Sequence, residues 1–320
     1  MFFQNGSISA TIVPEEGGRV QSLKDQATGL EFLFQSQHLR VAQAPSLHAR
    51  FQYGACAGIE ECLPSVGACN EETIGGAVPD HGDFWQLPWM VEEASAKSNL
   101  SLSAQGFSRP LLFRKNIHLL GRSLRMSYSV ENVGAKSESF LYACHPLLAV
   151  EAGDRIVLPE EVTSLILNYS RNHRLGQAGD TVTWPINETS SGPIDLSQTL
   201  SYESGVGEML YTSRLNQGWC GLYRASKQQG VVLVFDTMQL PYLGVWLCYG
   251  GWPEGSEDPL QYAVALEPTL APVGTLYDAQ LQGIACELAP RASFSWTIDF
   301  QISPNGLTLE AFRGFCESLS

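Results

Sequence analysis

The sequence predicts an all-β protein, a large antiparallel sandwich with few short helices. Three observations carry that expectation: apolar and polar residues alternate in several stretches, turn-forming clusters break the chain at short intervals, and helical periodicity is scarce. Strict alternation marks strands with one face buried and one wet, because successive strand side chains point to opposite faces. Many such strands separated by Gly, Pro, Asn and Asp clusters fit two packed sheets.

In chain order, LRMSYSVEN sets Leu124, Met126, Tyr128 and Val130 on one face. The run GVVLVFD, from Gly230, is continuously apolar, as a strand covered on both faces would be. SFSWTIDFQI alternates again, with Phe294, Trp296, Ile298 and Phe300 on one side. NVGAKS, EAGD, LGQAGD and GGWPEGSEDP supply turns. The clearest helix is TLEAFRGFCESL, where Thr308 is the expected N-cap and Leu309, Phe312, Phe315, Cys316 and Leu319 fall on one face. No Pro- or Ser-rich linker divides the chain, so residues 1–320 are expected to form a single domain.

Hydrophobic residues make up 44% of the 320 and aromatics 10%, enough for a large core. Against 19 Lys and Arg stand 33 Asp and Glu, a net charge of −14. That balance argues against nucleic acid and anionic membranes as partners and suits a neutral, hydroxyl-rich small molecule. The opening MFFQNGSISATIVPEEGG has no basic stretch followed by an apolar run, and no segment reaches the roughly 18 apolar residues of a membrane span. A soluble cytoplasmic protein is expected, with monomer and homodimer both open. The eight cysteines read as reduced, mostly buried thiols; Cys56, Cys62 and Cys69 cluster without zinc-site spacing.

Four stretches set reactive side chains among aromatics and turn formers. They are GIEECLPSVG with Glu60 and Glu61, PDHGDFW with His81, LYACHPLLAVE with His145, and YAVALEPTLAPVG with Glu267. His145 lies in an otherwise apolar strand, as a satisfied core histidine or as an aimed acid or base. Glu267 closes the apolar YAVALE before a proline, at a strand end facing either a cleft or water. A carboxylate and an imidazole in different environments can divide base and acid roles. Opening a cyclic hemiacetal needs that division, with one proton removed at the anomeric hydroxyl and one delivered to the ring oxygen. No cofactor or metal is needed. Trp85, Trp89, Trp246 and Trp252 flank these stretches, as core packing or as faces for the C–H side of a pyranose.

The motifs resemble the galactose mutarotase-like superfamily, the aldose 1-epimerases and their relatives. PDHG at 79–82 looks like the family's first histidine motif, and CHPLLAV at 144–150 like its second. YAVALEPTLAPVG at 262–274 resembles the late glutamate segment, and VPEEGGRVQSLKDQATGLEFLF, Val13 to Phe34, the opening one. The resemblance spans nearly the whole chain and implies a β-supersandwich, with Glu267 as general base, His145 as general acid and His81 holding the sugar near its ring oxygen. Beside His81, Asp80 or Asp83 would orient the imidazole, Gly82 would let the chain pass close to the ligand, and Trp85 and Trp246 would supply apolar walls. The sequence also departs from the family. GIEECLPSVGACNEE replaces an arginine-bearing segment and offers Glu61 as the ligand contact; HPLL replaces HPYF; and the aspartate segment of galactose-specific members is missing. Three other readings remain. One is a sugar-binding protein without catalysis. Another is a hexose-phosphate epimerase using Arg40, Arg50, Arg109 or Arg114. The third is a metal enzyme using His81, Asp80, Asp83, Glu61 and His145.

Overall fold

The computed structural model describes residues 1–37, 44–70, 75–95, 99–189, 192–255 and 261–319. Chain order gives β1 (Phe2–Gln4), β2 (Ile8–Val13), β3 (Arg19–Asp25), β4 (Gly58–Cys62), β5 (Met90–Ser95), β6 (Asn99–Gln105), β7 (Leu111–Leu120) and β8 (Ser123–Asn132). There follow β9 (Glu138–Phe140), β10 (Ala143–Ala149), β11 (Arg155–Val157), β12 (Ser164–Ser170), β13 (Thr181–Thr183), β14 (Ile186–Thr189) and β15 (Gly192–Asp195). The rest are β16 (Val206–Thr212), β17 (Trp219–Arg224), β18 (Gln229–Phe235), β19 (Tyr242–Tyr249), β20 (Tyr262–Thr269), helix α1 (Leu276–Leu281), β21 (Cys286–Leu288), β22 (Ser293–Ile302) and helix α2 (Leu309–Glu317). A ten-stranded sheet runs β1-β2-β3-β4-β10-β20-β19-β16-β12-β13, and an eight-stranded sheet runs β11-β17-β18-β22-β8-β7-β6-β5. Their strand pairs are antiparallel, as the alternation predicts.

The alternating residues of β8 and β22 meet as neighbours, Tyr128 opposite Trp296 and Met126 opposite Ile298, in the core between the sheets. β18 is apolar throughout because both its faces are covered. Val231, Leu233 and Phe235 enter the inter-sheet core, while Val232 packs outside with Trp219, Tyr223, Phe312 and Cys316. The outer cover is α2, capped by Thr308, whose hydroxyl accepts the Ala311 N–H. Gly230 lets Phe312 close in, since a Cβ there would lie 2.4 Å from the ring. Of the expected helical face, Phe312 and Cys316 are buried, but Leu309 stays exposed in the first turn. All eight cysteines are free thiols, seven buried and Cys286 half-buried. Among the described residues no helix is long and apolar enough to cross a membrane.

One polar cluster crosses the inter-sheet core. Lys115 of β7 donates to Glu61 of β4 at 2.8 Å, with neither side chain exposed to solvent. Tyr128 and Tyr142 donate to the same carboxylate at 3.0 and 2.8 Å, and the ammonium lies 5.1 Å from the centroid of the Trp89 ring. Glu61 is therefore not the ligand contact expected of it. Its pleat position turns it inward, away from the outer face of the ten-stranded sheet, and its carboxylate is taken up by the opposite sheet. Removing one partner of such a pair strands the other charge in an apolar core. Lys115→Met is expected to lower stability by about 3 kcal/mol or more, measured by urea denaturation at neutral pH.

Candidate active site

Five adjacent strands of the ten-stranded sheet each bring one residue to the same transverse line. Glu60 of β4 faces His145 of β10. Strands β10 and β20 keep one register on both sides of a pairing gap, with Ala143 opposite Thr269 and Leu147 opposite Ala265, so His145 stands across from Glu267. Glu267 faces Gly244 of β19, which faces Tyr211 of β16. Residues opposite one another across a ladder share a face. The next residues along, Cys144, Leu266, Val245 and Leu210, are in the inter-sheet core, so this line lies on the outer face. The pairing gap contains Pro146 and Pro268, neither of which has an N–H to give the ladder. Strand β20 continues through Thr269, so Glu267 lies within the strand rather than at its end.

Gly244 is the one position in the line with no side chain. A Cβ there would lie 2.7 Å from Met209 Cε and 3.2 Å from both Glu267 Cβ and Tyr211 Cε1. Its absence makes room for the Met209 methyl group beside the Glu267 and Tyr211 side chains.

The loop carrying Asp80 and His81 folds over this line. His81 takes a left-handed conformation (φ 57°) and its N–H donates to the Val66 carbonyl at 2.6 Å. The imidazole stacks on Phe51, with centroids 3.7 Å apart and planes 4° apart, and meets the His145 ring edge-on at 5.1 Å. Asp80 Oδ1 lies 2.9 Å from His81 Nδ1, leaving Nε2 for a ligand. Asp83 has a different task, accepting the N–H groups of Phe107 and Ser108 at 2.9 Å each. Gly82 does not serve a ligand approach. A Cβ there would lie 2.0 Å from the Leu63 carbonyl oxygen, so the glycine is needed for backbone against backbone.

Phe51, Asp80, His81, His145, Tyr211 and Glu267 line a cavity of about 690 Å³, together with Trp246, Trp252, Tyr169, Asn168 and Gln261. A register shift in β12 between Leu167 and Tyr169 accommodates Asn168, which joins Tyr169 in the lining. Trp85 stands behind the wall and not in it. Its ring packs edge-on against Phe51 and its indole N–H donates to the Asp80 carbonyl, so it braces the loop instead of facing a ligand. Trp89 is buried, its N–H given to the Phe84 carbonyl. No lysine or arginine lines the cavity among the described residues. Arg109 is tied to the Gly76 carbonyl and Glu138, Arg114 to Glu131, and Arg40 lies outside the described residues. No group of three or more His, Cys, Asp or Glu side chains among the described residues is arranged to hold a metal ion.

The electrostatics follow from burial and from Asp80. Burial pushes the Glu267 carboxyl up to about 7, and the His81 charge offsets only part of that rise. Burial also pulls the His145 imidazole well below its ordinary range, helped by the cation on His81, so it is neutral at pH 7. Burial acts the same way on His81, but the charge and hydrogen bond of Asp80 outweigh it and the net shift is upward. His145 Nε2 lies 3.9 Å from Glu267 Oε1, an approach without an ion pair. Three buried atoms on this surface have no protein partner: His145 Nδ1, Glu267 Oε2 and Tyr211 Oη. A buried polar atom left unmatched costs about 1–3 kcal/mol, which a ligand bearing hydroxyls would recover.

Solved structures share this architecture. The Slr1438 protein from Synechocystis sp. PCC 6803 matches with a TM-score of 0.69 at 19% identity, over 95% of each chain. A galactose mutarotase related enzyme from Lactobacillus acidophilus matches at 0.68 and 16%, over 95% of this chain and 97% of that one. The chain has a galactose mutarotase-like fold. A galactose mutarotase-like protein from Lactobacillus casei matches at 0.66 and 17%, over 95% of this chain and 99% of that one. No protein-family model and no curated protein matches the sequence.

Two outcomes are expected for this site. The Glu267 carboxyl titrates higher in the folded state than its ordinary 4.5, so the fold is favoured with Glu267 protonated and loses that advantage as pH rises towards 7. The stability of Glu267→Gln relative to wild type should therefore grow between pH 4.5 and 8, by up to about 3 kcal/mol in urea titrations. Tyr211→Phe removes a hydroxyl with no protein partner, so its melting temperature should equal or exceed that of wild type.

Proposed function

We propose that the protein interconverts the α and β anomers of a free sugar, as an aldose 1-epimerase. The observation that carries this reading is a buried carboxylate near neutrality, Glu267, facing two imidazoles of opposite charge preference in one cavity. A protein that only bound sugar would have use for the walls but no use for a base held at the midpoint of its titration.

Ionised Glu267 removes the proton from the anomeric hydroxyl. The oxygen–carbon bond becomes the aldehyde carbonyl, the bond from C1 to the ring oxygen breaks, and that oxygen takes a proton from the imidazole pair. Rotation about C1–C2 and reversal of each transfer closes the ring on its other face, returning both protons. Within the pair, Asp80 favours the proton on His81 and burial disfavours it on His145. His145, in line with Glu267, takes the acid role at the ring oxygen that the family resemblance gives it. Tyr211 and Phe51 hold the ring between them.

Glu267→Gln should reduce anomer exchange by about 100-fold or more while sugar binding survives, read by NMR exchange spectroscopy. His145→Asn should cost more than His81→Asn; the reverse order would give the acid role to His81. Wild-type kcat/KM should trace a bell in pH. Its rising limb comes from ionisation of Glu267 near 7, and its falling limb from deprotonation of His81 above its ordinary 6.5.

A further inference from the structure

His145, Glu267 and Tyr211, on one transverse line of the sheet, account for one part of the cavity. A second line, two residues further along the same strands, runs Ala265, Trp246, Met209 and Tyr169. It lies roughly 7 Å from the first, the length of two strand residues. Its chemistry is different. Trp246 is fixed in place by its N–H, which donates to Gln261 Oε1 at 2.6 Å, and its ring is tilted against Tyr169 at 6.3 Å. The Tyr169 hydroxyl donates to Glu254 at the rim, and Arg171 lies 3.9 Å from the same carboxylate. An aromatic shelf with anchored polar edges thus continues the floor beyond the reacting groups.

Volume and charge narrow what this shelf takes. About 690 Å³ lies within the range of pockets that enclose drug-sized ligands, larger than one pyranose. Apart from the two histidines, the ionisable lining groups are Asp80, Glu254 and Glu267 with the phenols of Tyr169 and Tyr211, so a phosphate or carboxylate on the ligand would meet carboxylates with no arginine or lysine among the described lining residues. Hydroxyls can donate to those carboxylates, and the C–H face of a sugar ring can lie on indole.

Resting on the epimerase reading, we propose that the cavity takes the reducing end of an uncharged oligosaccharide. The terminal aldose sits on the Glu267–His145 line, and the sugar attached to it lies on the Trp246 shelf. Only the terminal ring has a free anomeric hydroxyl, so only it opens, and a chain joined through the far side of that ring leaves along the strands towards Trp246.

The test is a set of anomer-exchange rates for glucose, galactose, maltose, cellobiose, lactose and glucose 6-phosphate. At least one disaccharide should exceed its own reducing-end monosaccharide by about tenfold in kcat/KM, the contribution of one well-stacked ring. Glucose 6-phosphate should be slower than glucose. Trp246→Ala should narrow the disaccharide advantage to within about twofold, losing roughly the stacking contribution. Exchange of monosaccharides with no disaccharide advantage, or with glucose 6-phosphate fastest, overturns the inference and leaves the epimerase reading standing. No exchange with any aldose or disaccharide overturns the epimerase reading itself. The wild-type ratios decide this even if the variant does not fold.

Discussion

Strand register is the constraint on which the site depends. In β4, Glu60 and Glu61 are adjacent, and a slip of one residue would exchange them between the outer face and the core. The Lys115–Glu61 pair opposes that slip. It ties β4 to the opposite sheet through a charge that has no other place in the apolar interior, and two tyrosines complete the carboxylate's hydrogen bonding. A buried pair of this kind adds little net stability compared with a hydrophobic substitute, but it penalises alternatives heavily. The outer face inherits the benefit, because the pairing that turns Glu61 inward leaves Glu60 opposite His145, and His145 opposite Glu267.

The same sheet that positions these groups also sets their charges. Strands packed on both faces dry the His145 and Glu267 side chains, which lifts the carboxyl and suppresses the imidazolium. The loop above adds Asp80, which with smaller help from Glu267 and Glu60 shifts the second imidazole upward. Two histidines about 5 Å apart thus shift in opposite directions, because Asp80 hydrogen-bonds one imidazole while burial dominates at the other. The site is destabilising for the fold at neutral pH and useful for the same reason, a common exchange at reactive centres.

Alternation made the sheets legible, since the buried faces of β8 and β22 could be read residue by residue from LRMSYSVEN and SFSWTIDFQI. The continuous run of β18 announced a covered outer face, though not that α2 covers it. His81, His145, Glu267 and Trp246 were visible as polar or aromatic residues in unusual surroundings, and the structure gathers them at one cavity. Glu61 and Trp85 were misplaced for a different reason. Pleat parity decides which of two neighbouring glutamates faces out, and nothing local in GIEEC fixes it. Trp85 is near the site in sequence and contacts Phe51, but from behind. Tyr211 and Phe51 carried no signal, because an aromatic residue in a strand or a short turn is ordinary until its neighbours across the sheet are known.

Gly244 has a consequence of a different kind. The sheet gives up one side chain there, and the Met209 methyl group takes the space beside the carboxylate and the phenol. The walls of the cavity come from loops and can change with little effect on the sheet. A side chain at position 244 would instead press on Met209, Glu267 and Tyr211 together. Divergence among proteins of this architecture should therefore alter the walls more freely than the packing of the sheet beneath the reacting groups.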